Sequence, residues 1–346
     1  ITREDSREIS RIVFSFFRWC GQLDRKAGLP AKLRSAMQLA DRFAENPEAF
    51  EKFELQRNIP KWAVDEIAFD VDWLRAIQQE PELWVRSKNG MAEQIARTKG
   101  FERAASSGAL VNVLRYLGSE DLFRSQAFQS GEFEIQDISS QLVGLLCAPK
   151  PGETWWDACA GEGGKTMHLA DLMEGKGLLW ATDRSRRRIE MLKRRAKRAK
   201  VFNYRSKLWE GGERLPVKTK FDGVLLDAPC SGVGTWQRNP HARWTTKMSD
   251  VTELAEVQNR LLNNISPLVK PGGKLIYAVC TLTRSETTDV AREFSEKHPL
   301  FEPLELNSRG DQQIDGMAPA PAMTIWPKDC GGNGMFVAAW RRRPAG

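Results

Sequence analysis

Residues 153–173 read ETWWDACAGEGGKTMHLADLM. A bulky apolar run ends in Asp157, a stretch of small residues and glycines follows, and apolar residues then recur at helical spacing. That order predicts a buried strand, a Gly-rich turn and a helix. It repeats downstream. Residues 176–199, KGLLWATDRSRRRIEMLKRRAKRA, read as strand, terminal acid and helix, and 221–232, FDGVLLDAPCSG, as strand and loop. Residues 251–269 read as a helix, 270–282 (KPGGKLIYAVCTL) as a turn and strand, 283–298 as a helix and 332–342 (GNGMFVAAWRR) as a last strand. A further helix at 139–148, SSQLVGLLCA, precedes the series. Strands alternating with helices predict an α/β fold, a mixed and mostly parallel sheet covered on both faces. Ligands in such sheets bind beyond the carboxyl ends of the strands, where Asp157, Asp183, Asp227, Cys230 and Cys280 all fall.

Upstream of residue 136 the texture differs. Helical spacing runs through 9–23 (ISRIVFSFFRWCGQL) and 29–43 (LPAKLRSAMQLADRF). Residues 58–90 begin with a Pro-marked helix start and continue amphipathically; 90–100 read as a helix, followed by shorter apolar segments such as GALVNVLRYL at 108–117. The chain of 346 residues has room for one large or two medium domains, and 41% hydrophobic with 28% charged residues fits a soluble globular protein. No stretch approaches the ~18 apolar residues of a membrane-spanning helix. The start, ITREDSREIS, is polar and lacks the order of a signal peptide, and it has no initiator Met, which points to processing or truncation.

Six cysteines at 20, 147, 159, 230, 280 and 330 form no CxxC or CxxH pair, so neither a zinc site nor a disulfide framework is expected. They read as reduced thiols in a cytoplasmic protein. Three scattered histidines, 168, 241 and 298, offer no metal centre. The net charge of +7 is concentrated at 184–200, RSRRRIEMLKRRAKRAK. A face of that kind attracts phosphates, though a solvated helix face accounts for it equally well.

The turn DACAGEGGKT at 157–166 lacks the spacing of a Walker A loop and of the GxGxxG dinucleotide fingerprint. Its small residues let backbone N–H groups approach a ligand at a helix N-terminus, and a tight strand-to-helix turn uses the same residues. Asp183 ends the next strand. An acid there can accept hydrogen bonds from ribose hydroxyls, or simply cap a helix. With the Gly-rich turn upstream, a nucleotide-type ligand is the better reading, either NAD or S-adenosylmethionine.

The cysteines separate these. Buried cysteines are usually inert, but two at strand ends beside a carboxylate suit one reaction. Carbon 5 of a pyrimidine is a poor nucleophile until a thiolate adds at carbon 6. The ring then attacks a methyl donor, loses the carbon-5 proton and expels the cysteine, and a carboxylate at ring N3 stabilises the adduct.

At these residues the sequence resembles the RNA cytosine-5 methyltransferases of the Fmu/Sun/nucleolar type, over roughly 55–345. The likeness is carried by EFEIQDISSQLV (132–143), DACAGEGGKT, ATDRSRRR (181–188), LLDAPCSGVGTWQRNPHARW (225–244), VQNRLLNNISPLVKPGG (257–273), YAVCTL (277–282) and GMFVAAW (334–340). It implies a Rossmann-like S-adenosylmethionine-dependent methyltransferase domain at 136–346, preceded by a helical region at 1–78 and a small α+β RNA-binding module at 79–135. It implies Cys280 as the nucleophile at carbon 6, Cys230 as the group assisting release, Asp227 against the cytosine, and Lys165 bracing that acid. Cys159, Ala160, Gly161, Glu162, Gly163, Gly164 and Lys165 would wrap the methionine and ribose part of S-adenosylmethionine, and of its product S-adenosylhomocysteine. Asp183 would take the ribose hydroxyls, Arg188 would support the loop, and Asp227 would also hold the cofactor end of the site. No metal is implied. The partner is RNA, ribosomal or transfer, with the target cytosine unpaired or flipped out; no membrane is involved, and a monomer is expected.

DNA cytosine-5 methyltransferases attack with a Pro-Cys cysteine, which would be Cys230. The resemblance assigns attack to the later cysteine instead. The chain departs from the family where Glu162 replaces a usual Pro and Val279 a usual Thr. RSETT replaces Pro-Glu-Glu-Asn-Glu, keeping Glu286 alone, and LWVRSKNG replaces the usual Arg-Val-Asn stretch. Glu210 is the candidate acid for the adenine. These changes leave a second reading, a catalytically silent RNA-binding homologue, and the retained cysteines favour the enzyme. An NAD-dependent oxidoreductase is the third and is disfavoured by the missing fingerprint.

Overall fold

Trp155 and Trp156 are neighbours on one strand, so their side chains leave it on opposite faces. Both are fully buried, each in a different apolar cluster, so the strand is covered on both sides. The structure, a computed structural model, describes residues 2–105, 108–306 and 318–344. The parts of the three expected segments at 1, 106–107, 307–317 and 345–346 lie outside the described residues.

The chain opens with helices α1 (Arg3–Trp19), α2 (Leu29–Glu45), α3 (Lys52–Gln56), α4 (Ala63–Glu66) and α5 (Val71–Ala76). A small sheet region follows: β1 (Leu83–Ser87), α6 (Ala92–Ala96), β2 (Phe101–Arg103), β3 (Val113–Tyr116), α7 (Gln126–Gln129) and β4 (Phe133–Ile135). The large α/β unit begins with α8 (Ile138–Cys147), β5 (Thr154–Asp157), α9 (Gly164–Leu172), β6 (Leu178–Asp183), α10 (Arg186–Arg198), β7 (Tyr204–Leu208) and β8 (Phe221–Asp227). It ends with α11 (Ala242–Thr245), α12 (Met248–Ile265), β9 (Val269–Val279), α13 (Thr288–Lys297), β10 (Phe301–Pro303), β11 (Ala322–Ile325), α14 (Pro327–Cys330) and β12 (Met335–Arg342).

Among the described residues the large sheet has eight strands in the order β10-β12-β9-β8-β5-β6-β7, with β11 paired to β12. The run β9-β8-β5-β6-β7 is parallel, while β10, β11 and β9 all meet β12 antiparallel. The fold is thus Rossmann-like α/β with a mixed, mostly parallel sheet. The chain winds outward from β5 to β7, then returns to β8, so strand order reverses between β5 and β8. A crevice opens beyond the carboxyl ends there.

Residues 58–90 differ from the amphipathic helix expected. They break into α4 and α5, with Ile67 extended and the Asp70 carboxylate capping α5 through Trp73 N at 2.9 Å. LWVRS then leaves for the small antiparallel sheet, ordered β2-β3-β1-β4. That sheet is tied to the large unit through Glu134 on β4. Its buried carboxylate pairs with Arg195 at 3.0 Å and with Arg198, both on α10. The basic helix is therefore only partly a free cationic face. Arg186, Arg187, Arg194 and Lys197 remain exposed on it.

The N-terminal helices pack by an aromatic cluster of Trp19, Phe43, Phe50 and Trp73, which also takes in Val233, Trp236 and Leu282 of the large unit. Buried Arg243 locks this contact through the carbonyls of Ile77 and Trp236 and the Gln78 side chain. Val233 and Leu282 each lie two or three residues beyond a cysteine at the end of β8 or β9.

Candidate active site

The central strands β8 and β9 are parallel neighbours with Asp227 opposite Ala278. Cys230 lies three residues past Asp227 and Cys280 two past Ala278, so pairing of the strands brings both thiols to one end. The loop after β8 folds back, with Ala228 N donating to Ala278 O at 2.9 Å and Gly234 N donating to Cys280 O at 3.1 Å. The two sulfurs sit 3.3 Å apart.

Lys165, in the first turn of α9, donates to Asp227 Oδ2 at 2.8 Å. The lysine is buried, which works against its charge, but Asp227 outweighs this and holds the ammonium above its ordinary range. The hydrogen bond from Cys230 is the largest influence on Cys280, whose thiol is held below its ordinary range despite burial. Cys230 is pushed well up by the same bond, by burial and by the nearby negative groups. The pair is therefore unequal, with Cys280 the more acidic sulfur and Cys230 the less acidic one.

The Gly-rich turn runs between β5 and α9. Gly161 has φ +56°, left-handed, and a Cβ there would meet no protein atom within 4 Å, so the backbone is open to a ligand. Its N–H donates to Asp183 Oδ2 at 3.0 Å, and Ser185 N donates to Asp183 Oδ1 at 2.8 Å. Arg188 approaches Asp183 at 3.8 Å. Asp183 thus ties the turn to the head of α10 while lining the opening. Asp157 sits beneath, fully buried, accepting from Thr166 Oγ1 at 2.6 Å; burial pushes its carboxyl up to about 7.

The expected site residues, Gly163 excepted, line one cleft of about 770 Å³ that also takes in Glu210 and Arg260. Gly163 lies outside that lining: it turns the chain (φ +87°) with its N–H on Ala160 O, and a Cβ would strike Leu192 Cγ at 2.7 Å. Its glycine serves the packing of α9 against α10. Leu254, Val257, Leu261 and Pro229 form an apolar wall opposite the acids. A cleft with an apolar wall, carboxylates and a glycine turn that no side chain covers suits a nucleoside with a charged tail, so the residues present fit S-adenosylmethionine.

One residue was not assigned a role from the sequence. Glu286, fully buried, accepts hydrogen bonds from Ser231, Gln258, Thr281 and Thr283. Its only signal was survival as a lone acid in RSETT. Val279, which lacks the usual hydroxyl, is fully buried, and Thr281 and Thr283 bring hydroxyls to the far side of Cys280.

Residues 144–341 match the model of the family described as 16S rRNA methyltransferase RsmB/F. A probable ribosomal RNA small subunit methyltransferase B of Bacillus subtilis is 38% identical over 220 residues, 62% of this chain and 49% of that protein. The ribosomal RNA small subunit methyltransferase B of Cronobacter sakazakii is 30% identical over 292 residues, 81% of this chain and 65% of that one. The chain thus spans between about half and two thirds of these relatives. Among solved structures, that of PH0851 superposes with a TM-score of 0.73 at 28% identity, over 90% of this chain and 73% of that one.

Proposed function

The chain belongs to the 16S rRNA methyltransferase RsmB/F family, a family of S-adenosylmethionine-dependent methyltransferases, and from that premise we propose that it methylates carbon 5 of a cytosine in RNA through a covalent Cys280 adduct. The single observation that carries this reading is the 3.3 Å cysteine pair in the same cleft as the Lys165–Asp227 ion pair and the open Gly-rich turn. Ribosomal RNA is the substrate class, as the relatives' names suggest.

S-adenosylmethionine, when bound, supplies an electrophilic methyl group. Ala160, Gly161 and Gly164 offer backbone to its tail, Asp183 its carboxylate to the ribose, and Glu210 an acid for the adenine against the apolar wall. Lys165, through its hydrogen bond, holds Asp227 aimed at the base edge. The Cys280 thiolate forms the sulfur–C6 bond, and the displaced π electrons make carbon 5 nucleophilic. After methylation the carbon-5 proton passes to water, the electron pair of the C5–H bond restores the C5=C6 double bond, and the Cys280 sulfur leaves carbon 6 as a thiolate with the pair of the sulfur–C6 bond, freeing C5-methylcytosine. Cys230, the protonated partner within reach of that sulfur, assists this last step. Residues 79–135 and the exposed arginines of α10 contribute phosphate contacts, the helices of 1–78 brace the cysteine loops, and 136–346 carry the chemistry. The protein acts as a monomer in the cytoplasm.

The test is incubation with labelled cofactor and bulk RNA. Label entering RNA as bisulfite-resistant cytosine supports the reading. Wild-type protein that binds RNA and transfers no label contradicts it.

A further inference from the structure

Two chemically identical thiols 3.3 Å apart need something to tell them apart. We propose that Glu286 is the positioning residue that does so: it pins the residue after each cysteine and places its negative charge on the Cys230 side of the pair. The inference rests on the cysteine-pair reading above.

Glu286 Oε1 accepts from Ser231 N at 2.9 Å and from Gln258 Nε2 at 3.0 Å. Its Oε2 accepts from Thr283 Oγ1 at 2.8 Å, from Thr281 Oγ1 at 3.2 Å and from the Ser231 hydroxyl. Ser231 follows Cys230 and Thr281 follows Cys280, so one carboxylate grips both cysteine loops. Gln258 also donates to Pro229 O at 2.9 Å, which fixes the Cys230 backbone from the other side. Glu286 is itself held. Its carbonyl lies 2.6 Å from the Tyr277 hydroxyl, and the preceding Ser285 gives its N–H and hydroxyl to Glu66 of α4, each at 3.0 Å.

The charge side follows from what faces each thiol. Glu286 is fully buried, and among the described residues it forms no ion pair, so hydrogen bonds alone offset its charge. Glu286 meets the Cys230 loop through both the N–H, at 2.9 Å, and the hydroxyl of Ser231, and the residue after Cys280 only through the Thr281 hydroxyl at 3.2 Å. Cys280 faces the Lys165 ammonium and Asp227, which are themselves paired. A negative carboxylate behind Cys230 disfavours ionisation there, whereas at Cys280 Asp227 and Lys165 act in opposite senses and the hydrogen bond between the thiols holds Cys280 below its ordinary range. The proton therefore stays on Cys230, whose sulfur lies 3.3 Å from that of Cys280. A residue that merely stabilised the fold would move the reactivity of both thiols together and leave their ratio unchanged.

The experiment is alkylation of the full chain by iodoacetamide at about pH 7.5, without RNA, read for each cysteine by peptide mass spectrometry. In the wild type Cys280 is modified at least about tenfold faster than Cys230, because only the thiolate is alkylated. In Glu286→Gln the ratio falls about tenfold, toward equality, because Cys230 ionises more readily and Cys280 loses its aligned donor. A folded Glu286→Gln with the wild-type ratio overturns the proposal. Should that variant fail to fold, Ser231→Ala removes one hydroxyl donor and keeps the carboxylate. The ratio then falls about threefold if Glu286 acts through that loop, and an unchanged ratio overturns the proposal. Absence of RNA methylation in the wild type would sink the cytosine reading while leaving these thiol ratios to be judged on their own.

Discussion

Cys230 Sγ and Cys280 Sγ lie 3.3 Å apart although 50 residues separate them in sequence, because each follows one of two adjacent parallel strands. The contact gives the pair an internal acid and an internal base. The hydrogen bond between them holds the Cys280 thiol below its ordinary range where burial alone would raise it, and the same bond pushes Cys230 up.

Lys165 touches the acid next to that pair. Lys165→Met keeps most of the stem volume and removes the cation, leaving Asp227 aimed by nothing. Methyl transfer falls by about two orders of magnitude, in the range seen when one preorganised electrostatic group is removed from a site. Affinity for S-adenosylhomocysteine, measured by calorimetry, changes far less.

Asp183 has the opposite profile. Asp183→Asn leaves an oxygen for Gly161 N but takes the acceptor from Ser185 N and loses the charge that strengthens hydrogen bonds to a ribose. Loss of a charge-assisted hydrogen bond is worth about 1.5–3 kcal/mol, so the dissociation constant for S-adenosylhomocysteine rises about 10- to 100-fold. Binding of RNA, followed by filter retention, stays near the wild-type level.

Asp157 makes stability depend on pH. Burial raises its folded pKa to about 7 from an ordinary carboxyl value. Between the unfolded and folded pKa values the native state holds a proton that the unfolded chain has released, so stability falls as pH rises from about 4 to about 7. Asp157→Asn removes that contribution. Urea midpoints of the variant decline less over this window than those of the wild type, and an identical decline would show that Asp157 does not carry it.

Glu134 links the small sheet to α10. Glu134→Gln strands Arg195 and Arg198, which are partly exposed and so regain some water. The loss is about 2–3 kcal/mol, less than the ~3–5 kcal/mol of breaking a fully buried pair. A lower urea midpoint with unchanged affinity for S-adenosylhomocysteine checks it.

The α/β half was readable because each of β5, β6, β8 and β9 is a short run of bulky apolar residues closed by an acid, cysteine or glycine signal, followed by helical spacing. Local pattern and local structure coincide there. Residues 58–90 were misread because the amphipathic spacing continues across Ile67–Asp70, where the Asp70 cap restarts the helix. The two arginines tied to Glu134 look in sequence like their solvated neighbours, since only the position of the small sheet distinguishes them. In the cleft, the acids and cysteines were visible as strand-end residues. The register that brings two sulfurs into contact was not, because it depends on pairing between distant strands. Nor was Glu286, because a carboxylate buried among hydroxyls leaves no periodic trace. Gly163 and Gly161 look alike in GEGG, yet one packs on Leu192 and the other opens to the cleft.

The most direct test of the central claim places each cysteine variant with RNA and S-adenosylmethionine, then runs the mixture on a denaturing gel. Cys280→Ala forms no adduct and transfers no methyl group, whereas Cys230→Ala accumulates a covalent RNA–protein species that survives denaturation. An adduct trapped by Cys280→Ala and absent from Cys230→Ala would reverse the two roles, and methylation at the wild-type rate by both variants would contradict the covalent mechanism.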